Sequence, residues 1–444
     1  MTENVAEFLE TKNFPELKKL LEDMNPADIA AYLAQVPEET LPVIFRLLPK
    51  ELAAETFVEM QSDEQELLIK SFSDREIHDV MDELYADDAA DIVDEMPANV
   101  VRRILANTDV QTRKTINELL KYPDDSAGSV MTVEFVDLNR AMTVTQAFDK
   151  IRRTGVDKET IYTCYVVDSY RHLLGIVSVK TLLLSDPSMT VGDIMETNVI
   201  SVQTLEDKET VAQMFNKYDL MALPVVDSEN RLVGIVTFDD AIDVLQEETT
   251  EDIEKMAAIL PSDKPYLKTG VFETWRKRIP WLLLLMVSAT FTGKIITSFE
   301  SALAAMPVLT AFIPMLMDTG GNAGGQSSVT IIRSLSLGDI GMKDIFRIIW
   351  KELRVSLLCG IALAAVGFLK LLIIDRTTVP VAIAVCLTLL FVVVIAKLIG
   401  CTLPIAAKAV GFDPAVMASP FITTIVDALA LLMYFFIATS MLGL

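Results

Sequence analysis

The 444 residues exceed the roughly 250 to 300 that one hydrophobic core serves, so several domains are expected rather than a single compact enzyme domain. The chain is 51% hydrophobic with a mean hydropathy of +0.39, yet its net charge is −24. The two properties separate: residues 1–274 hold 25 Lys/Arg against 54 Asp/Glu, net −29, and residues 275–444 hold 13 against 8, net +5. An acidic half of that strength repels nucleic acid and favours cationic partners such as metal ions. Cys164, Cys359, Cys386 and Cys401 have no paired spacing, which argues against a disulfide framework or a zinc site. The stretch Met1–Glu10 lacks the basic flank and apolar run of a signal peptide, so the hydrophilic half is expected in the cytoplasm. His78 and His172 stand outside any HExxH pattern and read as structural.

From Phe14 to Tyr122 short helical patterns recur, opened by Asn25-Pro26, Val36-Pro37, Leu48-Pro49, Ala86-Asp87 and Met96-Pro97. Capping groups and first-turn prolines start such helices, and Leu/Ile at i, i+3, i+4 predict an all-α superhelical domain over residues 1–126. Its densest acidic cluster is Asp87, Asp88, Asp91, Asp94 and Glu95; Asp87 and Asp91 share a face and repel each other in the absence of a cation. A solvated acidic face and a metal site both fit that local pattern.

An internal repeat follows. Val166-Val167-Asp168 with Leu173 to Ser178 recurs fifty-nine residues on as Val225-Val226-Asp227 with Leu232 to Thr237. Each copy reads as strand, tight turn, strand and helix, and this α/β pair resembles tandem CBS modules, which sense ligands for an attached domain; their expected bounds are 127–188 and 189–246. A connecting helix is expected over 247–274. Asp240 and Asp243 share one helix face, as do Glu248, Glu251 and Asp252, in sets that a hard, oxygen-seeking cation could bridge.

Five apolar stretches are expected to span a membrane within residues 275–444: Ile279–Phe299, about Leu303–Ile332, Val355–Ile374, Val379–Leu398 and Ala415–Leu442. Arg276, Lys277, Arg278, Arg333, Lys343, Arg347, Lys351 and Arg354 mark cytoplasmic ends, which puts the N-terminus inside and the C-terminus outside. The second span carries Asp318 and the run Gly320-Gly321-Asn322-Ala323-Gly324-Gly325-Gln326, expected as irregular backbone exposed at membrane depth, with small-residue helix packing as the alternative. The last span carries Asp427, a carboxylate expected to mark an ion path unless Lys294 or Lys397 pairs with it or it is held protonated; Asp413-Pro414 before it reads as a turn.

Taken in this order, the domains, the run Gly320 to Ser327, and Asp413-Pro414 ahead of Thr424-Ile425-Val426-Asp427 closely resemble the MgtE family of magnesium channels over essentially the whole chain. The resemblance implies a multi-pass protein of the cell inner (plasma) membrane, a homodimer with one pore, Mg²⁺ as both permeant and regulatory ion, and closure when cytosolic Mg²⁺ is high. By motif it assigns Asp427 and Gly321 to the pore, and Asp87, Asp91, Asp219, Asp240, Asp243, Glu248, Glu251 and Asp252 to cytoplasmic metal sites. It also admits ATP at the CBS modules, which the residues themselves do not show. Gly325 and Ser419 depart from asparagines of some relatives. An ion-coupled divalent cation exchanger and a non-conducting membrane sensor remain as alternatives; an enzyme finds no nucleophile, base or phosphate-loop constellation in the sequence.

Overall fold

The structure, a computed structural model, describes residues 13–262, 266–417 and 419–443. The expectations for Met1–Glu10, for Pro265 and for the side chain of Ser419 lie outside the described residues. The chain divides into two compact units, the first ending at Leu245 and the second beginning at Gln246.

In the first unit, nine short helices run from Phe14 to Leu119 among the described residues. Their starts are local chemistry. The Asn25 side chain accepts from the Ala27 N–H at 3.0 Å ahead of Pro26. Ser73 and Glu76 cap reciprocally, and Asp109 accepts from the Gln111 and Thr112 N–H groups. Val36-Pro37 behaves differently: Pro37 to Thr40 form a turn, and the next helix begins only at Leu41. The buried Leu17, Leu21, Ile29, Leu33, Phe57 and Ile77 belong to a core that continues into Phe215, Val225, Val236 and Val244 of the second repeat copy, so the helical domain is packed directly on that module.

Both repeat copies fold alike. Phe135–Asn139, Thr160–Val167 and Leu173–Ser178 form one three-stranded sheet, and Val202–Gln203, Ala222–Val226 and Leu232–Thr237 form the other. Each has a parallel first pair and an antiparallel second pair, with Val166 opposite Gly175 and Val225 opposite Gly234. The lead-in segments cross over, since Thr132 bridges Ile235 of the second sheet and Glu196 bridges Ile176 of the first. Glycine is needed at the crossings: a Cβ at Gly175 or Gly234 would lie 2.7 Å from the carbonyl of Glu196 or Thr132. The second copy runs into a single unbroken helix, Phe238–Met256, of 19 residues.

Among its described residues the second unit holds five long helices, here the first to fifth span helices: Val271–Ser298, Ile313–Ser336, Ile345–Ile373, Val379–Val410 and Ser419–Leu442. Among the described residues, Val271–Ser298, Met342–Ile373, Val379–Val410 and Pro414–Leu442 are long and apolar enough to cross a membrane. The second span helix, at 24 residues, reaches about 36 Å at 1.5 Å per residue but is too rich in glycine and polar groups to join them.

That helix corrects the sequence reading. Instead of running from Leu303, the span begins at Ile313, after a short helix Glu300–Ala305 and a 3-10 turn Pro307–Phe312. The glycine-rich run is helical from end to end, with Gly320, Gly321, Gly324 and Gly325 buried. Each glycine costs a helix roughly 1 kcal/mol relative to alanine, and close contact with neighbouring helices offsets it. A Cβ at Gly324 would meet Ile422 at 2.8 Å, and one at Gly320 would meet Val392 at 2.7 Å. The small-residue alternative therefore holds for the backbone.

Candidate functional site

The second, fourth and fifth span helices meet along the glycine run. The tightest point is Gly400, where a Cβ would lie 2.3 Å from the carbonyl oxygen of Gly324. Backbone cannot yield that distance. Gly400→Ala is therefore expected to destabilise the membrane unit by about 1–3 kcal/mol, the usual cost of overpacking. Gly341→Ala, with no heavy atom within 4 Å of the new methyl, serves as control. Melting of the full chain in detergent measures the difference; equal melting temperatures would show that these helices are not locked at Gly324.

Beside this contact, Gly321 lies against Thr423, whose Cγ2 would be 2.8 Å from an added Cβ. Asp427 is half-buried one turn beyond Thr423, and the charge that acts on it is that of Asp318. Among the described residues no ion pair joins it to Lys294 or Lys397. Asp318, Asn322 and Gln326 recur every four residues as a polar stripe, exposed in the single chain. Lipid solvates such a stripe poorly, whereas water or a cation solvates it well. Gly321 against Thr423, and Asp318 acting on Asp427 one turn further along, thus lie along one seam.

A second cluster lies where the connecting helix meets the membrane unit. Lys255 Nζ is 2.7 Å from Asp413 and 2.8 Å from Glu251, and the Ser336 hydroxyl donates to Asp252 at 2.9 Å. Met256 packs on Ile332 and Ala415. Burial, partly relieved by Ser336, raises the Asp252 carboxyl above its ordinary range. Asp413 caps the turn at the Ala415 N–H, 2.7 Å, as a turn residue should, and also anchors Lys255. Glu248 is half-buried on the same helix.

The third cluster belongs to the first unit. Asp87 is 7% exposed, and its Oδ1 has no hydrogen-bond partner. Burial, then the charges of Asp240, Asp88 and Glu159, pushes its carboxyl well above the usual range. Burial likewise raises Asp88 to about 7 and Glu159 to about 8, each with the other carboxylates adding to the effect. Asp240 rises to about 6 by burial, held back by the Thr237 hydroxyl that donates to it. Asp91 and Asp243 are exposed. Asp219 closes the helix Lys208–Tyr218 in the left-handed conformation, exposed to solvent. Sequence reading missed Glu159, which precedes a strand in no carboxylate pattern. Among the described residues no three carboxylates are gathered tightly enough to chelate one ion, so the cluster stands as a set of repelling charges.

This cluster fixes a pH dependence. Asp88, Glu159 and Asp240 ionise near pH 4 in an unfolded chain and near pH 6 to 8 when folded, and Asp87 is raised as well. The folded state therefore binds more protons between those limits, and stability falls as pH rises through that window. Metal-free protein is expected to melt lower at pH 8 than at pH 5.5, with Mg²⁺ restoring more at pH 8. Asp87→Asn should flatten the slope. A melting temperature that rises with pH across this window would contradict the cluster.

Comparison with known proteins follows the same division. Residues 313–437 match the divalent cation transporter profile MgtE, residues 24–125 the MgtE intracellular N domain, and residues 127–186 and 191–247 the CBS domain. The chain is 36% identical to the magnesium transporter MgtE of Thermus thermophilus, covering 99% of this chain and 98% of that one. It is 33% identical to the magnesium transporter MgtE of Bacillus subtilis, over 96% and 94% respectively. A crystal structure described as the cytosolic domain of the Mg²⁺ channel MgtE in complex with ATP superposes with a TM-score of 0.53 at 37% identity, covering 55% of this chain and all of that one.

Proposed function

The chain belongs to the MgtE family of divalent cation transporters, and on that premise we propose that it is a Mg²⁺-selective channel for Mg²⁺ uptake, closed when cytosolic Mg²⁺ binds its acidic domains. Membership places it among membrane transporters rather than enzymes. The observation that carries the channel reading is the half-buried, unneutralised Asp427 facing the glycine seam with Asp318 beside it. Mg²⁺ dehydrates reluctantly and keeps several waters, so a path for it needs few carboxylates and room for a hydrated ion.

A homodimer supplies two copies of Asp427 and encloses the stripe Asp318, Asn322 and Gln326, which one chain leaves exposed. The basic residues flanking the spans support a cytoplasmic N-terminus and an outside C-terminus in the cell inner membrane. The regulatory reading is supported by the buried carboxyls of Asp87, Asp88, Glu159 and Asp240, which burial first and mutual repulsion next raise above their usual range. A divalent cation held by Asp91, one helical turn from Asp87, and by Asp243, one turn from Asp240, would relieve that repulsion. Asp240 and Asp243 share one unbroken helix with Glu251, Asp252 and Lys255, so a shift at one end is transmitted to the other. The ATP-bound relative supports ATP at the CBS pair as a further ligand. Patch recording of reconstituted protein, stepping Mg²⁺ on the cytoplasmic face, tests the proposal. A Mg²⁺ current that closes as Mg²⁺ rises is the expected result, and flux that requires a counter-ion gradient would replace the channel by an exchanger.

A further inference from the structure

On the third span helix, Ile348, Ser356 and Gly360 form a buried stripe, and the position between them is occupied by a carboxylate, Glu352. Its neighbours Lys351 and Arg354 are exposed, whereas Glu352 is half-buried. A carboxylate on the inner face of an apolar helix is costly and calls for a partner. That partner is Ser327 of the second span helix, 3% exposed, whose hydroxyl donates to the Glu352 carboxylate. Ser327 also touches the fourth span helix, its Cβ lying 3.1 Å from where a Cβ on Gly400 would be. The adjacent polar tie, from the Ser328 hydroxyl to the Met417 carbonyl, is 3.5 Å long and weak.

Ser327 lies nine residues beyond Asp318, which at 3.6 residues per turn is two and a half turns and hence the opposite face. Burial agrees, Ser327 being enclosed and Asp318 exposed. We infer that Glu352 is a positioning residue for permeation: through Ser327 it grips the back of the second span helix and so fixes how Asp318 and Gly321 face Asp427 and Thr423. This rests on the proposed channel function. The glycine contacts allow close approach of bare backbone, and to the apolar packing of Leu316, Ile331 and Leu335 the Glu352–Ser327 bond adds a directional polar restraint on rotation.

Unitary Mg²⁺ conductance and selectivity over Ca²⁺ test it, measured on the full chain for wild type, Asp427→Ala, Ser327→Ala, Glu352→Ala, Glu352→Gln and the double alanine variant, alongside melting temperatures. Ser327→Ala and Glu352→Ala are each expected to lower conductance by about tenfold, the scale of one hydrogen bond to a charged group. The double variant should fall no further, since both act through one bond. Glu352→Gln should lie between, because a neutral acceptor bonds the hydroxyl about half as strongly. Ser327→Ala is small enough to fold whatever Glu352→Ala does. Wild-type conductance in Ser327→Ala, additive effects in the double variant, or a lowered melting temperature with unchanged conductance would each overturn the inference. A conducting wild type silenced by Asp427→Ala but indifferent at 327 and 352 defeats this inference alone; a wild type without Mg²⁺ current defeats the proposed function, and the inference with it.

Discussion

Asp427→Ala is expected to abolish the Mg²⁺ current while leaving the protein folded and inserted. A unit charge about 4 Å from another contributes roughly 4 kcal/mol at an effective dielectric of 20, about a thousandfold in occupancy, and Mg²⁺ carries two such charges. No lysine or arginine pairs with Asp427 among the described residues, so no side-chain cation competes with a passing one. Its side chain does little packing beyond that: the seam is closed by Val426, Ile422 and Ala430, all buried. Asp427→Asn separates shape from charge and should be as silent as the alanine variant. Asp318→Asn should retain a reduced current, since Asp318 is more exposed and acts as the second charge. The recording is made with purified protein in a bilayer; a full-sized Mg²⁺ current in Asp427→Ala would remove the pathway from this seam.

How far the sequence discloses this arrangement depends on the range of the interactions. The repeat register, with Val166 and Val225 opposite equivalent glycines, is encoded locally by alternating strands and a tight turn, and it was legible. So was the helix start at Asn25. The glycine run was misread because bare backbone serves an irregular segment and a close helix contact equally well. Only Gly400, remote in sequence, decides between them. Lys255 and Asp413 read separately as a helix lysine and a turn aspartate, and their 2.7 Å pairing is tertiary. Glu352 was hidden between Lys351 and Arg354, which mark a cytoplasmic flank so plainly that the inward carboxylate among them carried no signal of its own. Glu159 gains its meaning only from Asp88 and Asp240, brought in from two other segments.

The paired variant Asp91→Asn with Asp243→Asn is expected to shift Mg²⁺-dependent closure to at least tenfold higher Mg²⁺. Two opposing effects follow from removing these charges, and their magnitudes decide the sign. Repulsion is relieved, which favours the closed form without metal; but both groups are exposed, where charge pairs are screened to a few tenths of a kcal/mol. Cation binding is also weakened. In the proposed gating a metal can drive closure only through a higher affinity for the closed state, and a swing from 1:99 to 99:1 needs roughly 5.5 kcal/mol of that difference. Loss of two charged ligands removes more than the relieved repulsion returns, so opening wins. The other end of the same helix supplies an internal control. Lys255 already holds Glu251 and Asp413 together with its own ammonium, the part a cation would otherwise take. Lys255→Met should therefore weaken closure at every Mg²⁺ concentration, lowering its extent rather than moving its midpoint. Closure curves for the three proteins, recorded under one voltage and ionic strength, distinguish the cases. An unmoved midpoint in Asp91→Asn/Asp243→Asn would show that Mg²⁺ acts elsewhere than on this acidic rim.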